Sequence, residues 1–149
     1  MEVLRRGRLS HFIPHWLSGE ALFFITICCQ PVGVNQLCRE PTGSAVLSTI
    51  EFYHRSRRWS GRLFLVMPDH VHGIVAFPRD PGIKATVSNW KRYCSRVLGV
   101  RWQRDFFDHR LRDERELTEK ASYILNNPVR KRLCETPEQW PYVWRAPEA

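Results

Sequence analysis

Leu63-Phe-Leu-Val-Met-Pro-Asp-His-Val-His-Gly-Ile-Val-Ala-Phe77 is the stretch whose reading decides the fold. Two apolar runs rich in β-branched and aromatic residues flank Met67-Pro-Asp69. Pro pre-sets φ and Asp bonds its own backbone, so the middle reads as a tight turn. The stretch is therefore a hairpin: a strand Leu63–Val66, a turn, and a strand His70–Phe77.

Upstream, Ala21-Leu-Phe-Phe-Ile-Thr-Ile-Cys28 has the same composition and reads as a buried strand, and Pro31 to Gly43 as a loop. From Ser44 the period changes. Val46, Leu47, Ile50 and Tyr53 recur three and four residues apart, on one helical face, with Ser44 placed to cap the start and Arg55, Arg57 and Arg58 at the end. Downstream, Pro78 to Gly82 is a turn and Thr86 to Leu98 a helix with Val87, Trp90, Cys94, Val97 and Leu98 on its apolar side. Trp102 to His109 reads as a fourth strand with Phe106 and Phe107 as its apolar content. A last helix runs from about Arg115 to Asn127, where Pro128 stops it. Strand, helix, strand, strand, helix, strand, helix is the ferredoxin-like (split βαβ) order. The fold class is α+β, an antiparallel sheet with helices packed on one face.

The 149 residues fit one domain, 1–149, with residues 1–19 as a basic N-terminal arm holding Arg5, Arg6, Arg8, His11 and His15. A net charge of +8 favours polyanionic partners. The five cysteines form no Cys-x-x-Cys pair, and no secretory signal is visible, which points to reduced thiols in a cytoplasmic protein. The longest apolar run, Ala21 to Cys29, falls far short of the about 20 residues of a membrane span.

Two constellations carry possible chemistry. His70 and His72, at i and i+2 of a strand, point to one face about 6.5–7 Å apart, close enough to converge on a metal ion. Such a pair is also met as an exposed or hydrogen-bonded core pair. Tyr123 and Asn127, at i and i+4 of the last helix, share a face. A helical Tyr is commonly a core or rim residue, and Asn before Pro a cap. The apolar face through Leu117, Ala121, Ile124 and Leu125, however, leaves Tyr123 to one side.

Met67-Pro-Asp-His-Val-His72, Trp102-Gln-Arg-Asp-Phe-Phe-Asp-His109 and Tyr123-Ile-Leu-Asn-Asn-Pro-Val129, followed by Trp140-Pro141, occur in order over most of the chain. This set resembles the REP-associated tyrosine transposases, a branch of the insertion-sequence-200-like single-tyrosine HUH transposases. The resemblance implies a ferredoxin-like fold, His70, His72 and Asn127 as ligands of Mg²⁺ or Mn²⁺, and Tyr123 as catalytic nucleophile. It implies a metal-dependent transposase that cleaves and rejoins single-stranded DNA at hairpin repeats through a 5′-phosphotyrosine, working as a monomer or homodimer. Where the family often carries a basic residue after the first strand, this chain has Cys29-Gln30.

Imidazole suits Zn²⁺ or Mn²⁺ better than Mg²⁺, so the choice of ion comes from the resemblance alone. Lys91, Arg92, Arg96, Arg104, Arg110, Arg112 and Arg130 are candidate nucleic-acid contacts, and Trp90, Tyr93 and Trp102 candidate base-stacking residues. The alternative reading is a non-catalytic or inactivated nucleic-acid-binding module of the same fold, which would not require the two constellations to meet. A zinc hydrolase would need a third His or carboxylate signature such as His-Glu-x-x-His, which is absent.

Overall fold

Three long strands form the centre of the computed structural model, which describes residues 20–147. They are β1 (Leu22–Cys28), β2 (Ser60–Met67) and β3 (His70–Ala76). β2 and β3 pair as the expected hairpin around Pro68-Asp69, and β3 pairs antiparallel with β1 from Leu22↔Ala76 to Cys28↔His70. Short strands β4 (Phe107–Arg110) and β5 (Val143–Arg145) complete an antiparallel sheet in the order β4-β1-β3-β2-β5. The basic arm expected at residues 1–19 lies outside the described residues.

The α+β antiparallel sheet is as the sequence reading expects. The placement of the helices is not. α1 (Thr42–Arg55) and α2 (Ile83–Leu98) bury Val46, Ile50, Val87 and Trp90 in one core with Ile25, Ile27, Phe64, Val71 and Val75. α3 (Glu114–Leu125) packs on the other face, its Leu117, Ala121, Ile124 and Leu125 against Leu22, Phe24, Leu65 and Ile74. The reason lies in the strands. Every residue of β3 after His70 is buried, so both faces of the sheet are apolar and a single helical layer would leave one in water. Each Leu or Ile of α3 taken from water contributes about 1.5–3 kcal/mol.

Local chemistry fixes the ends of the elements. α1 begins at Thr42, after Pro41, with no side-chain cap; Ser44, the expected cap, lies inside the first turn and bonds Glu40. Gly99 ends α2 in the left-handed conformation at φ 74°. Asp113 caps α3 by accepting the Glu116 amide at 2.9 Å. β4 starts at Phe107, later than the reading from Trp102; Trp102 makes only an isolated bridge to Cys29. All five cysteines are free thiols, and burial pushes those of Cys29, Cys38 and Cys94 up to about 12. Among the described residues no helix is long and apolar enough to cross a membrane.

Candidate metal and nucleophile site

His70 opens β3 directly after the turn, and the turn residue Asp69 holds it. Asp69 Oδ1 accepts from His70 Nδ1 at 2.8 Å, while Oδ2 accepts the Gly33 amide at 2.8 Å. Burial works to raise the Asp69 carboxyl, but the hydrogen bonds from His70 and Gly33 outweigh it and hold it below the usual range. An acceptor on Nδ1 puts the proton there and leaves Nε2 with a lone pair turned inward.

His72 lies two residues on, on the same face, with the two ring centroids 4.7 Å apart. It is 5% exposed, stacked on Phe24 at 5.5 Å, with Nδ1 3.0 Å from Thr26 Oγ1. Burial first, then the charges of His70 and Arg130, push its pKa down to about 3. At neutral pH the imidazole is therefore uncharged, the state a metal ligand needs.

α3 carries Tyr123 to this face. Its ring centroid is 5.9 Å from His72 and 6.1 Å from Phe24, and the residue is 47% exposed. Arg130 lies 4.0 Å over the Tyr123 ring and donates from Nη2 to the Tyr123 carbonyl at 2.8 Å. Lys120 Nζ stands 5.9 Å from the same ring. The half-exposed ring thus has two cations close to it.

Asn127 is not on the same helix as Tyr123. α3 ends at Leu125, and Asn127 opens α4 (Asn127–Arg130), with Pro128 in its first turn. The break keeps the chain turning, since Arg130 N–H still reaches the Asn126 carbonyl at 2.9 Å. Asn127 ends 3% exposed, with Nδ2 3.2 Å from His70 Nε2. His70, His72, Tyr123 and Asn127 thus lie near one another, with Asn127 delivered by a separate short helix rather than by the helix of Tyr123 that the sequence reading expects.

Among the described residues no group of three or more His, Cys, Asp or Glu is arranged to hold a metal. A cation here would take two neutral imidazoles and a carboxamide. That set fits a divalent ion that keeps positions for water and phosphate oxygens, with half a turn of the Asn127 amide presenting Oδ1 to it.

The basic candidates do not form one surface. Arg130 and Arg112 lie on the Tyr123 side, Arg112 3.9 Å from Glu116. Lys91, Arg92 and Arg96 belong to α2, across the sheet. Arg110 pairs with Phe23, which packs against the α1–α2 core, so it also points away, and Arg104 is exposed ahead of β4. Lys91 is occupied by the carbonyls of Gln103 at 2.8 Å and Arg104 at 3.1 Å. Arg92 bonds Asn89 at 2.9 Å. Trp90 is fully buried, and the partly buried Trp102 packs 5.3 Å from it and donates to the Lys91 carbonyl; Tyr93 is 47% exposed. The sequence reading passed over Asp69, Thr26, Phe24 and Lys120. Lys120 had a signal, its i−3 spacing from Tyr123, whereas Asp69 read only as a turn former.

No protein-family model matches the chain. An uncharacterized protein of Haemophilus influenzae is 26% identical to it, covering 84% of this chain and 88% of that protein. A putative REP-associated tyrosine transposase of Haemophilus influenzae is 28% identical over 52% of the chain. The REP-associated tyrosine transposase of Escherichia coli K12 is 25% identical over 59%. These last two alignments span about half of each named transposase, 53% and 55%. Among solved structures, a REP-associated tyrosine transposase bound to a REP hairpin superposes with a TM-score of 0.72 at 22% identity, over 83% of this chain and 76% of that one.

Proposed function

Because the chain is a relative of the REP-associated tyrosine transposases and shares the fold of one of them, we propose that it cuts and rejoins single-stranded DNA beside a hairpin through Tyr123. The observation that carries this is the convergence of the nucleophile and the donor set: Tyr123 5.9 Å from His72 between ring centroids, and Asn127 3.2 Å from His70. A module that only bound nucleic acid would not need these residues together.

In the proposed step Tyr123 Oη bonds to phosphorus and the bond from phosphorus to the 3′ oxygen breaks. The phenol yields its proton to solvent and the departing 3′ oxygen takes one up. The products are a 5′-phosphotyrosine and a free 3′-hydroxyl. A 3′-hydroxyl can reverse the step, since the phosphodiester energy is kept in the protein link.

Mg²⁺ or Mn²⁺ held by His70, His72 and Asn127 would neutralise charge on the scissile phosphate and the leaving oxygen. The chain's own residues do the rest. Asp69 and Thr26 orient the imidazoles, and Arg130 holds the Tyr123 ring. Arg130 and Lys120 draw the phosphate toward the phenol. A free phenol costs roughly 4 kcal/mol to ionise at neutral pH, and cations at the reacting phosphate offset part of that in the transition state. The place of action would be the cytoplasm.

The test is strand cleavage and rejoining of labelled hairpin oligonucleotides with single-stranded flanks, in Mg²⁺ or Mn²⁺. Cleaved and rejoined products are expected with the native chain and none with Tyr123→Phe. Hairpins bound tightly but left intact with both ions would replace this reading with that of a non-catalytic nucleic-acid-binding module.

A further inference from the structure

Phe107 is 57% exposed on the edge strand β4, where a packing role would have covered it. Its partner on β1 is Thr26, and the partner of Thr26 on β3 is His72. Directly opposed residues of an antiparallel ladder point to the same side, with neighbouring strands about 4.8 Å apart. Phe107 therefore stands in the cross-strand row of His72, two strands away, on the face that carries Tyr123.

The rings between them are continuous. Phe107 meets Phe24 edge-on at 6.2 Å, and Phe24 meets Tyr123 edge-on at 6.1 Å. Phe24 is 5% exposed and fills the floor, whereas Phe107 and Tyr123 rise on either side of it. Lys120 Nζ lies 5.2 Å over the Phe24 ring and 5.9 Å from the Tyr123 ring, a cation on the ring that Phe107 meets edge-on. Nearby carboxylates are turned away or occupied. Asp108 pairs with Ile25 of the opposite core face, Glu116 bonds His109 at 2.5 Å and the Arg112 amide at 2.8 Å, and Glu119 pairs with Arg115 at 3.2 Å. An open ring beside a cation is the pairing that holds one nucleotide of a single strand, base against ring and phosphate against charge.

We propose that Phe107 and Lys120 form a subsite for the nucleotide adjoining the phosphate that Tyr123 attacks, its base stacked on Phe107 and its phosphate facing Lys120. The subsite rests on the strand-transfer reading above. It makes the enzyme require an unpaired base next to the cut, because a base held in a duplex has no face to offer Phe107.

Tyr123→Phe protein, which cannot react, keeps the test independent of chemistry. Hairpin oligonucleotides carrying 2-aminopurine at successive flank positions are titrated with it, and quenching of the fluorescent base reports stacking. Quenching is expected at one flank position and is lost when Phe107→Ala or Phe107→Leu is added. Affinity for an oligonucleotide abasic at that position stays unchanged by either variant. Affinity for the intact flank falls about 5- to 150-fold. Phe107→Leu keeps apolar volume without a π face, so its thermal melting shows whether folding is preserved. Quenching that survives both variants, or that appears at no flank position, overturns the subsite. Absent cleavage with the quench retained removes the strand-transfer reading alone; absent quench with cleavage intact removes the subsite alone.

Discussion

Asp69 accepts the Nδ1 proton of His70 at 2.8 Å and thereby leaves Nε2 of the same ring to face Asn127. One carboxylate so fixes both the tautomer and the direction of a candidate ligand. Such outer partners are worth about 10- to 100-fold in metal affinity. Asp69→Ala is expected to weaken Mn²⁺ binding by that amount, measured by titration calorimetry. Asp69→Asn keeps an acceptor for Gly33 and should lose less.

His72 links the site to stability. Its pKa is about 3 in the fold, against an unfolded value near 6.5. Between those values the unfolded chain binds the extra proton, so stability is full above the unfolded pKa and falls as pH drops toward 3. At pH 5 the loss from this residue is about 2 kcal/mol. Urea unfolding at pH 7.5 and pH 5 measures it, and His72→Gln should shrink the difference between the two.

Arg130 tests whether the proposed nucleophile is held rather than merely present. Its guanidinium lies 4.0 Å over the Tyr123 ring and bonds the Tyr123 carbonyl. Arg130→Ala is expected to slow strand cleavage about 10- to 100-fold through misplacement of the phenol. The melting temperature should change little, because Arg130 is exposed. Arg130→Lys should recover only part of the rate, since an ammonium cannot both stack flat on a ring and reach the carbonyl.

Gly73 sets how the site rests on the core beneath it. A Cβ there would meet Phe64 Cε1 at 2.6 Å, and Phe64 is fully buried and stacked on Trp59. The ring has nowhere to go. Gly73→Ala is expected to cost about 1–3 kcal/mol in denaturant unfolding. It should also weaken Mn²⁺ binding, by tilting the strand that carries His70 and His72.

The hairpin and the shared face of His70 and His72 were legible because a strand's period of two is local, and a Pro-Asp turn fixes the register by itself. The face covered by α3 was not legible. Its apolar stripe says that it is covered, whereas only the fully buried β3 says that the sheet has a second face to cover. The break at Asn126 was half legible: Pro128 announced a stop, but not that the next turn would stay helical and still deliver Asn127 to His70. β5 is three residues long and pairs with β2 only through the fold of the whole chain. Phe107 read as strand filling because an apolar residue on an edge strand gives no local sign of which side is open.

Under the proposed reaction Tyr123 becomes covalently joined to DNA when the donor set is filled. The most direct test is to incubate the protein with hairpin oligonucleotides in Mn²⁺, digest it, and map the adduct by mass spectrometry. The account predicts a nucleotide on the peptide holding Tyr123, absent after chelation and absent in His70→Ala. An adduct on another residue, or none while the hairpin is bound and Mn²⁺ is present, would contradict it.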